Sequence, residues 1–153
     1  MNFEEAVDVV LKHEGGYNFD YRDPGGETNY GISKRAYPEL DIKSLTKGHA
    51  KYLYERDYWV KLKCSGLPSS VRLIVFDCGV NQGVNFATRS LQECLKVKVD
   101  GIIGPITLEA AEKFKGNLLE DFALKRLERY FSNRNFDIYG KGWLRRLLST
   151  SII

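Results

Sequence analysis

The first apolar positions of the chain fall on a single helical stripe of Phe3, Val7, Val10 and Leu11, and the next position on that stripe is Glu14. Asn2 can cap the start, with Glu5 three residues later completing a capping box of the Asn type. Gly15 and Gly16 follow and stop the helix. The pattern therefore predicts a helix from Phe3 to Glu14 with an acid on the buried face of its last turn. Helical periodicity is lost from Tyr17 to Ile32. There Phe19 and Tyr21 alternate with polar residues, Pro24-Gly25 suits the centre of a type II turn, and Asn29 to Ile32 reads as a return strand, which predicts a β-hairpin.

The remainder reads as helices. Ser44 or Thr46 caps one running to about Lys61, carrying Leu53, Tyr54, Tyr58 and Trp59. Ser69 or Ser70 caps a strongly apolar stretch over Val71 to Val80 that suits a central buried helix. Asn85 caps a helix through about Leu95, and Thr107 one through Phe114. Leu118 to Phe131 is amphipathic with Leu119, Phe122, Ala123, Leu127 and Tyr130 inward, and a last short helix follows Gly142-Trp143. Lys96 to Gly104 is a loop turning at Asp100-Gly101. The fold class expected is mainly α, a single helical domain over 1–153 with a small β-hairpin beside a cleft. Residues 1–65 would carry the hairpin region, and 66–153 a helical region packed on it.

Candidate chemistry begins with Glu14. Burial penalises a carboxylate, and so does the negative end of a helix dipole, so both features favour a neutral carboxyl able to donate a proton. Against that stands a glutamate that reaches water or pairs with Lys12 or His13. Asp23 sits at the lip of the hairpin turn, in a polar setting that keeps it ionised, although an Asp there also simply initiates turns. Two carboxylates in unlike surroundings are the pairing that separates acid from base in glycosidic cleavage. Asp20 and Glu27 are alternatives for the second acid. Asp77 and Asn81 lie four apart on one helix face, as cleft-floor groups for N-acetyl and hydroxyl contacts or as a helix-end hydrogen-bond pair.

These residues carry a resemblance. Glu14-Gly15-Gly16-Tyr17 followed by Asp23-x-Gly25-Gly26-x-Thr28-Asn29-x-Gly31-Ile32 resembles the opening motif of glycoside hydrolase family 108, the N-acetylmuramidases. The eight residues between Glu14 and Asp23 are also similar to the spacing in phage-type lysozymes of family 24, while the four between Asp23 and Thr28 depart slightly from it. Phe76-Asp77-x-x-Val80-Asn81-x-Gly83, Leu91-Gln92 and Asp100-Gly101-x-x-Gly104-Pro105-x-Thr107 resemble a C-terminal peptidoglycan-binding region. The resemblance implies a lysozyme-like fold and cleavage of the β-1,4 bond between N-acetylmuramic acid and N-acetylglucosamine. Glu14, Asp23 and Thr28 would be catalytic, with Tyr17, Asn29, Tyr30, Asp77, Asn81 and Gln82 contacting substrate. No cofactor or metal is expected.

Composition narrows the alternatives. A hydrophobic content of 43% with 12% aromatics in 153 residues excludes disorder. No apolar run is long enough for a membrane span, and the N-terminus lacks a signal-peptide layout. The expectation is a monomer made in the cytoplasm that reaches the wall through a holin or another export route, as in a phage or prophage endolysin. Cys64, Cys78 and Cys94 lack metal-ligand spacing; Cys78 and Cys94 read as core thiols, and a Cys–His13 nucleophile has nothing to bring it together. The net charge of +3 hides an asymmetry. Residues 1–30 hold seven acids and two bases, and residues 113–146 hold nine bases and four acids. That basic face suits a polyanionic wall, and no nucleic-acid motif accompanies it. Two other function classes remain: a lytic transglycosylase using Glu14 alone, and a non-catalytic wall-binding module.

Overall fold

The computed structural model describes residues 1–20 and 26–151, so the proposed turn at Pro24-Gly25 and Asp23 itself lie outside the described residues. Helix α1 spans Phe3–Glu14 and buries Ala6, Val7, Val10 and Leu11. Its capping box is complete: the Glu5 amide donates to Asn2 Oδ1 at 3.0 Å, and the Asn2 amide donates to Glu5 Oε2 at 2.8 Å. Gly15, at φ +72°, takes the chain out of the helix.

The β region is a three-stranded antiparallel sheet of β1 (Asn18–Phe19), β2 (Glu27–Asn29) and β3 (Ile32–Ser33), in that order. Asn18 pairs with Thr28, and Thr28 with Ser33. The expected single return strand from Asn29 to Ile32 is in fact broken by a two-residue turn. Tyr30 and Gly31 both have positive φ, at 51° and 76°, the conformation of the tight hairpin turn whose twist matches the strands it joins. Without a glycine-rich pair to mark it, that turn was invisible in the pattern.

The helices follow. α2 is Lys47–Tyr54, capped by Thr46 Oγ1 accepting from the His49 amide at 3.2 Å, and it runs on as a π-helical turn over Glu55–Trp59. A short 3-10 turn at Cys64–Gly66 leads into α3, Ser69–Gln82. α3 is the apolar centre that the sequence predicts: Val71, Leu73, Ile74, Val75, Phe76 and Cys78 are all buried. It packs against α1, α4 (Val84–Cys94), α6 (Leu118–Phe131) and α7 (Phe136–Ser151), with α5 (Pro105–Glu112) between α4 and α6 in sequence. Phe3, Trp59 and Phe76 meet edge to face, with ring centroids 5.3–6.0 Å apart. All three cysteines are free and buried, and burial pushes the Cys78 thiol up to about 12.

The last helix and three of the expected caps change in detail. The last helix is not short: α7 covers sixteen residues and runs through Gly140 and Gly142. Glycine penalises an isolated helix, but here the packing of α7 on α6 and α3 overrides it; within the helix, the Phe136 ring one turn earlier lies where a Gly140 side chain would be. Thr107 does not cap α5, which starts with Pro105 in its first turn; Thr107 is buried beside Gln92. Nor does a serine cap α3 or Asn85 cap α4, whose N-cap positions are Pro68 and Gly83. Buried Gln92 donates to Asp100 Oδ1 at 2.8 Å and to the Ile102 carbonyl at 3.0 Å, and its oxygen accepts from the Gly101 amide at 2.9 Å. The Asp100-Gly101 motif is therefore locked to α4 by one side chain, and these hydrogen bonds hold the Asp100 carboxyl below its ordinary range.

Candidate functional site

Glu14 ends α1 with its side chain 19% exposed. Its Oε1 lies 2.7 Å from Arg146 Nη1 of α7. Arg146 Nε donates to Asp77 Oδ1 at 2.8 Å, and the other Asp77 oxygen takes Arg126 Nη2 of α6 at 2.8 Å. Arg126 also donates from Nε to Gln82 Oε1 at 2.7 Å and from Nη2 to the Tyr130 hydroxyl oxygen at 3.0 Å. Tyr130 passes its own proton on to Asn81 Oδ1 at 2.6 Å. Four alternating charges thus run inward from Glu14: acid, base, acid, base. Asp77 and Arg126 have fully buried side chains, where a charge persists only with partners at hydrogen-bond distance.

Two of those charges were assigned from sequence to the basic outer face. Arg126 and Arg146 are instead interior, at 0% and 8% exposed. The signal was present. Arg126 lies midway between Phe122 and Tyr130 on the inward stripe of α6, the same anomaly that singles out Glu14 on α1. The environment of Glu14 also differs from the apolar one expected, because its carboxyl is pinned by a guanidinium rather than enclosed by hydrocarbon.

The opposite side of the acid is formed by the turn between β2 and β3. A Cβ on Gly31 would stand 2.6 Å from Glu14 Oε2 and 2.5 Å from the Tyr54 hydroxyl oxygen, so only glycine fits there. Tyr54 is buried and donates to the Tyr30 carbonyl at 2.8 Å. Burial first, and then the charge of Glu14, push the Tyr54 phenol well up, which keeps it a donor. Ser149 Oγ and His13 Nε2, 2.9 Å apart, tie α7 to the end of α1 beside the site.

The other predicted residues divide by geometry. Thr28 is the middle residue of β2, partly exposed. Tyr17 is 45% exposed, and its hydroxyl donates to Glu27 Oε1 at 2.8 Å, which joins the two sides of the sheet. The backbone of Tyr30 forms the turn over Glu14. Asn29 is buried, and its amide nitrogen donates to the Ile42 carbonyl at 3.1 Å, anchoring the following loop. Asp77 is sealed inside, whereas Asn81 and Gln82 are partly exposed one turn farther along α3. Among the described residues no cluster of His, Cys, Asp and Glu is arranged to hold a metal ion.

Comparison with known proteins agrees with this geometry. A family profile described as Glycosyl hydrolase 108 matches residues 7–83, and one described as Predicted Peptidoglycan domain matches residues 86–148. Among solved structures, the chain is similar to one described as that of Brucella abortus SagA, at 32% identity and a TM-score of 0.86, covering 97% of this chain and 91% of that one. No curated protein matches. The two matched segments meet at the Gly83 bend between α3 and α4, yet the ion pairs from Asp77 to Arg126 and Arg146 cross that boundary. With a mainly helical, lysozyme-like fold, a carboxyl held at the end of α1 and both profiles matched in order, the chain belongs to glycosyl hydrolase family 108 and is a glycoside hydrolase acting on peptidoglycan.

Proposed function

We propose that the enzyme is an N-acetylmuramidase, cleaving the β-1,4 bond between N-acetylmuramic acid and N-acetylglucosamine by general acid catalysis from Glu14. The observation that carries this reading is the Glu14 carboxyl itself. One oxygen is fixed by Arg146 at 2.7 Å, and the other is directed toward the Gly31 turn of the sheet. Oε2 would carry the proton to the leaving oxygen. Asp23, at the motif position, would orient the attacking water or stabilise positive charge at the sugar carbon, with Thr28 helping to hold that water. Tyr17, Tyr30, Asn81 and Gln82 would contact the substrate directly. Asp77 and Asn29, both buried, would act through the groups they position. Residues 1–153 would work as one unit, because the charges behind the acid come from both matched segments.

The proposed setting is that of a bacteriolytic endolysin of phage or prophage origin, acting as a monomer. Among the described residues no helix is long and apolar enough to cross a membrane, and a holin or another export route would give access to the wall.

Replacing Glu14 with Gln tests the chemistry. The shape is kept and the proton lost, so wall lysis should fall by the ~10²–10⁴ typical of a missing general acid. Mass spectrometry of the parent's products should show reducing-end N-acetylmuramic acid. Anhydro ends would make the enzyme a lytic transglycosylase, and undiminished lysis by Glu14→Gln would remove Glu14 from the mechanism. Loss of sugar release without loss of wall binding separates the enzyme from a binding module.

A further inference from the structure

One helical turn beyond the Asp77–Arg126–Arg146 node, α3, α6 and α7 enclose a second feature. Asn81 follows Asp77 by four positions, Tyr130 follows Arg126 by four, and Trp143 precedes Arg146 by three. Together with Gln82, Arg129 and Asn133 these residues line a recess of about 180 Å³. Four residues of helix rise about 6 Å, so the recess lies about one turn past the Asp77 carboxylate.

Its chemistry is one-sided. Arginine can only donate, so Arg126 makes the Tyr130 oxygen an acceptor, and the Tyr130 proton must then go to Asn81 Oδ1. By the same logic Arg126 Nε occupies Gln82 Oε1, and the Asn135 amide occupies Asn133 Oδ1 at 2.9 Å. Every amide oxygen in the lining therefore already accepts a hydrogen bond. The Asn81 and Asn133 amide nitrogens and the Trp143 indole N–H remain without acceptors among the described residues. The Arg129 guanidinium has no carboxylate partner there either; it stacks over the Phe86 ring, its Cζ 4.2 Å from the centroid. Trp143 is held in place by Tyr130, stacked with centroids 5.3 Å apart and 21° between planes. A recess that presents free donors and a cation, while each of its amide oxygens already accepts a hydrogen bond, suits an anion of carboxylate geometry.

We propose that this recess binds a carboxylate of the peptide stem carried by the N-acetylmuramic acid at the cleaved bond. The inference rests on the muramidase reading, which places that sugar beside Glu14. The stem leaves the same ring, and the side-chain network that starts at Glu14 runs through Arg146, Asp77 and Arg126 to Tyr130 and Asn81 in the wall of the recess. The enzyme then reads the peptide as well as the glycan, and stem-bearing strands are its preferred substrate.

The test uses two soluble preparations of the same glycan strands, one with stems and one stripped of them by an amidase. Dissociation constants are measured with full-length Glu14→Gln protein, which leaves strands intact, and cleavage by the parent is measured separately. Stem-bearing strands should bind about tenfold more tightly than stripped ones, the worth of one charge-assisted contact. Adding Arg129→Gln or Asn133→Asp should bring the two constants together. Adding Arg145→Gln, which removes an exposed α7 cation outside the recess, should leave the preference intact. The proposal is overturned if the Glu14→Gln protein binds both strands equally, if the recess variants weaken both alike (a sugar site), or if Arg145→Gln erases the preference as fully as Arg129→Gln (attraction by overall charge). Failure of the parent to cleave either strand would instead count against the muramidase reading, since the binding comparison does not depend on turnover.

Discussion

Asp77 offers the sharpest test of how the site is held. Its side chain is fully buried, and its two oxygens each serve a different guanidinium at 2.8 Å. Asp77→Asn keeps the size but leaves Arg126 and Arg146 without the negative charge between them, and turns an amide N–H toward one of the two donors. Breaking one buried ion pair costs about 3–5 kcal/mol, and here one carboxylate supports two pairs, so the upper end is expected. In a chain of this size each kcal/mol moves the melting temperature by about 2–4 °C, giving a fall of about 10–20 °C. Thermal and urea unfolding followed by circular dichroism would measure it. Wall lysis, assayed well below the lowered transition, should fall as well, because Arg146 loses the anchor that orients it onto Glu14. Pairing Asp77→Asn with Arg126→Met should recover more than about 1 kcal/mol of the loss, since the second change removes a stranded charge. A destabilisation under about 1 kcal/mol, or strict additivity in the double variant, would refute the idea that this buried network holds the acid.

Two further outcomes follow from the geometry. Gly31→Ala forces a side chain to within 2.6 Å of Glu14 Oε2 from a backbone at φ +76°; it should cost about 1–3 kcal/mol of stability and at least tenfold in kcat, measured by chemical denaturation and turbidity clearing, and a fully active variant would place the working carboxyl oxygen elsewhere. Asp57 is held down to about 2, first by Arg56 and then by the Tyr37 hydroxyl, so its carboxylate stabilises the folded state above its ordinary value near 3.8 and the contribution is lost as pH falls through about 2; Asp57→Asn should be less stable than the parent at pH 7 and converge on it as pH falls from about 3.8 to below 2, and a constant difference across that window would mean the ion pairs contribute nothing.

The sequence by itself determined the local part of this protein. Period placed α1, with its cap, and α6 at their observed ends, the apolar run marked α3 as the centre, and the acid on an apolar stripe located Glu14, because each of these depends on residues a few positions apart. The motif from Glu14 to Ile32 likewise carried the family. What only the tertiary structure decided is how that acid is held. Arg146 lies 132 positions from Glu14 along the chain (146 minus 14), and Asp77 and Arg126 come from two other helices. No local period links them, and a charged residue read alone defaults to the surface. The turn at Tyr30-Gly31 and the unbroken length of α7 were hidden for the same reason. Their backbone choices conflict with intrinsic propensity, and contacts made only after folding select them, with Glu14 and Tyr54 at the turn and with α3 and α6 along α7.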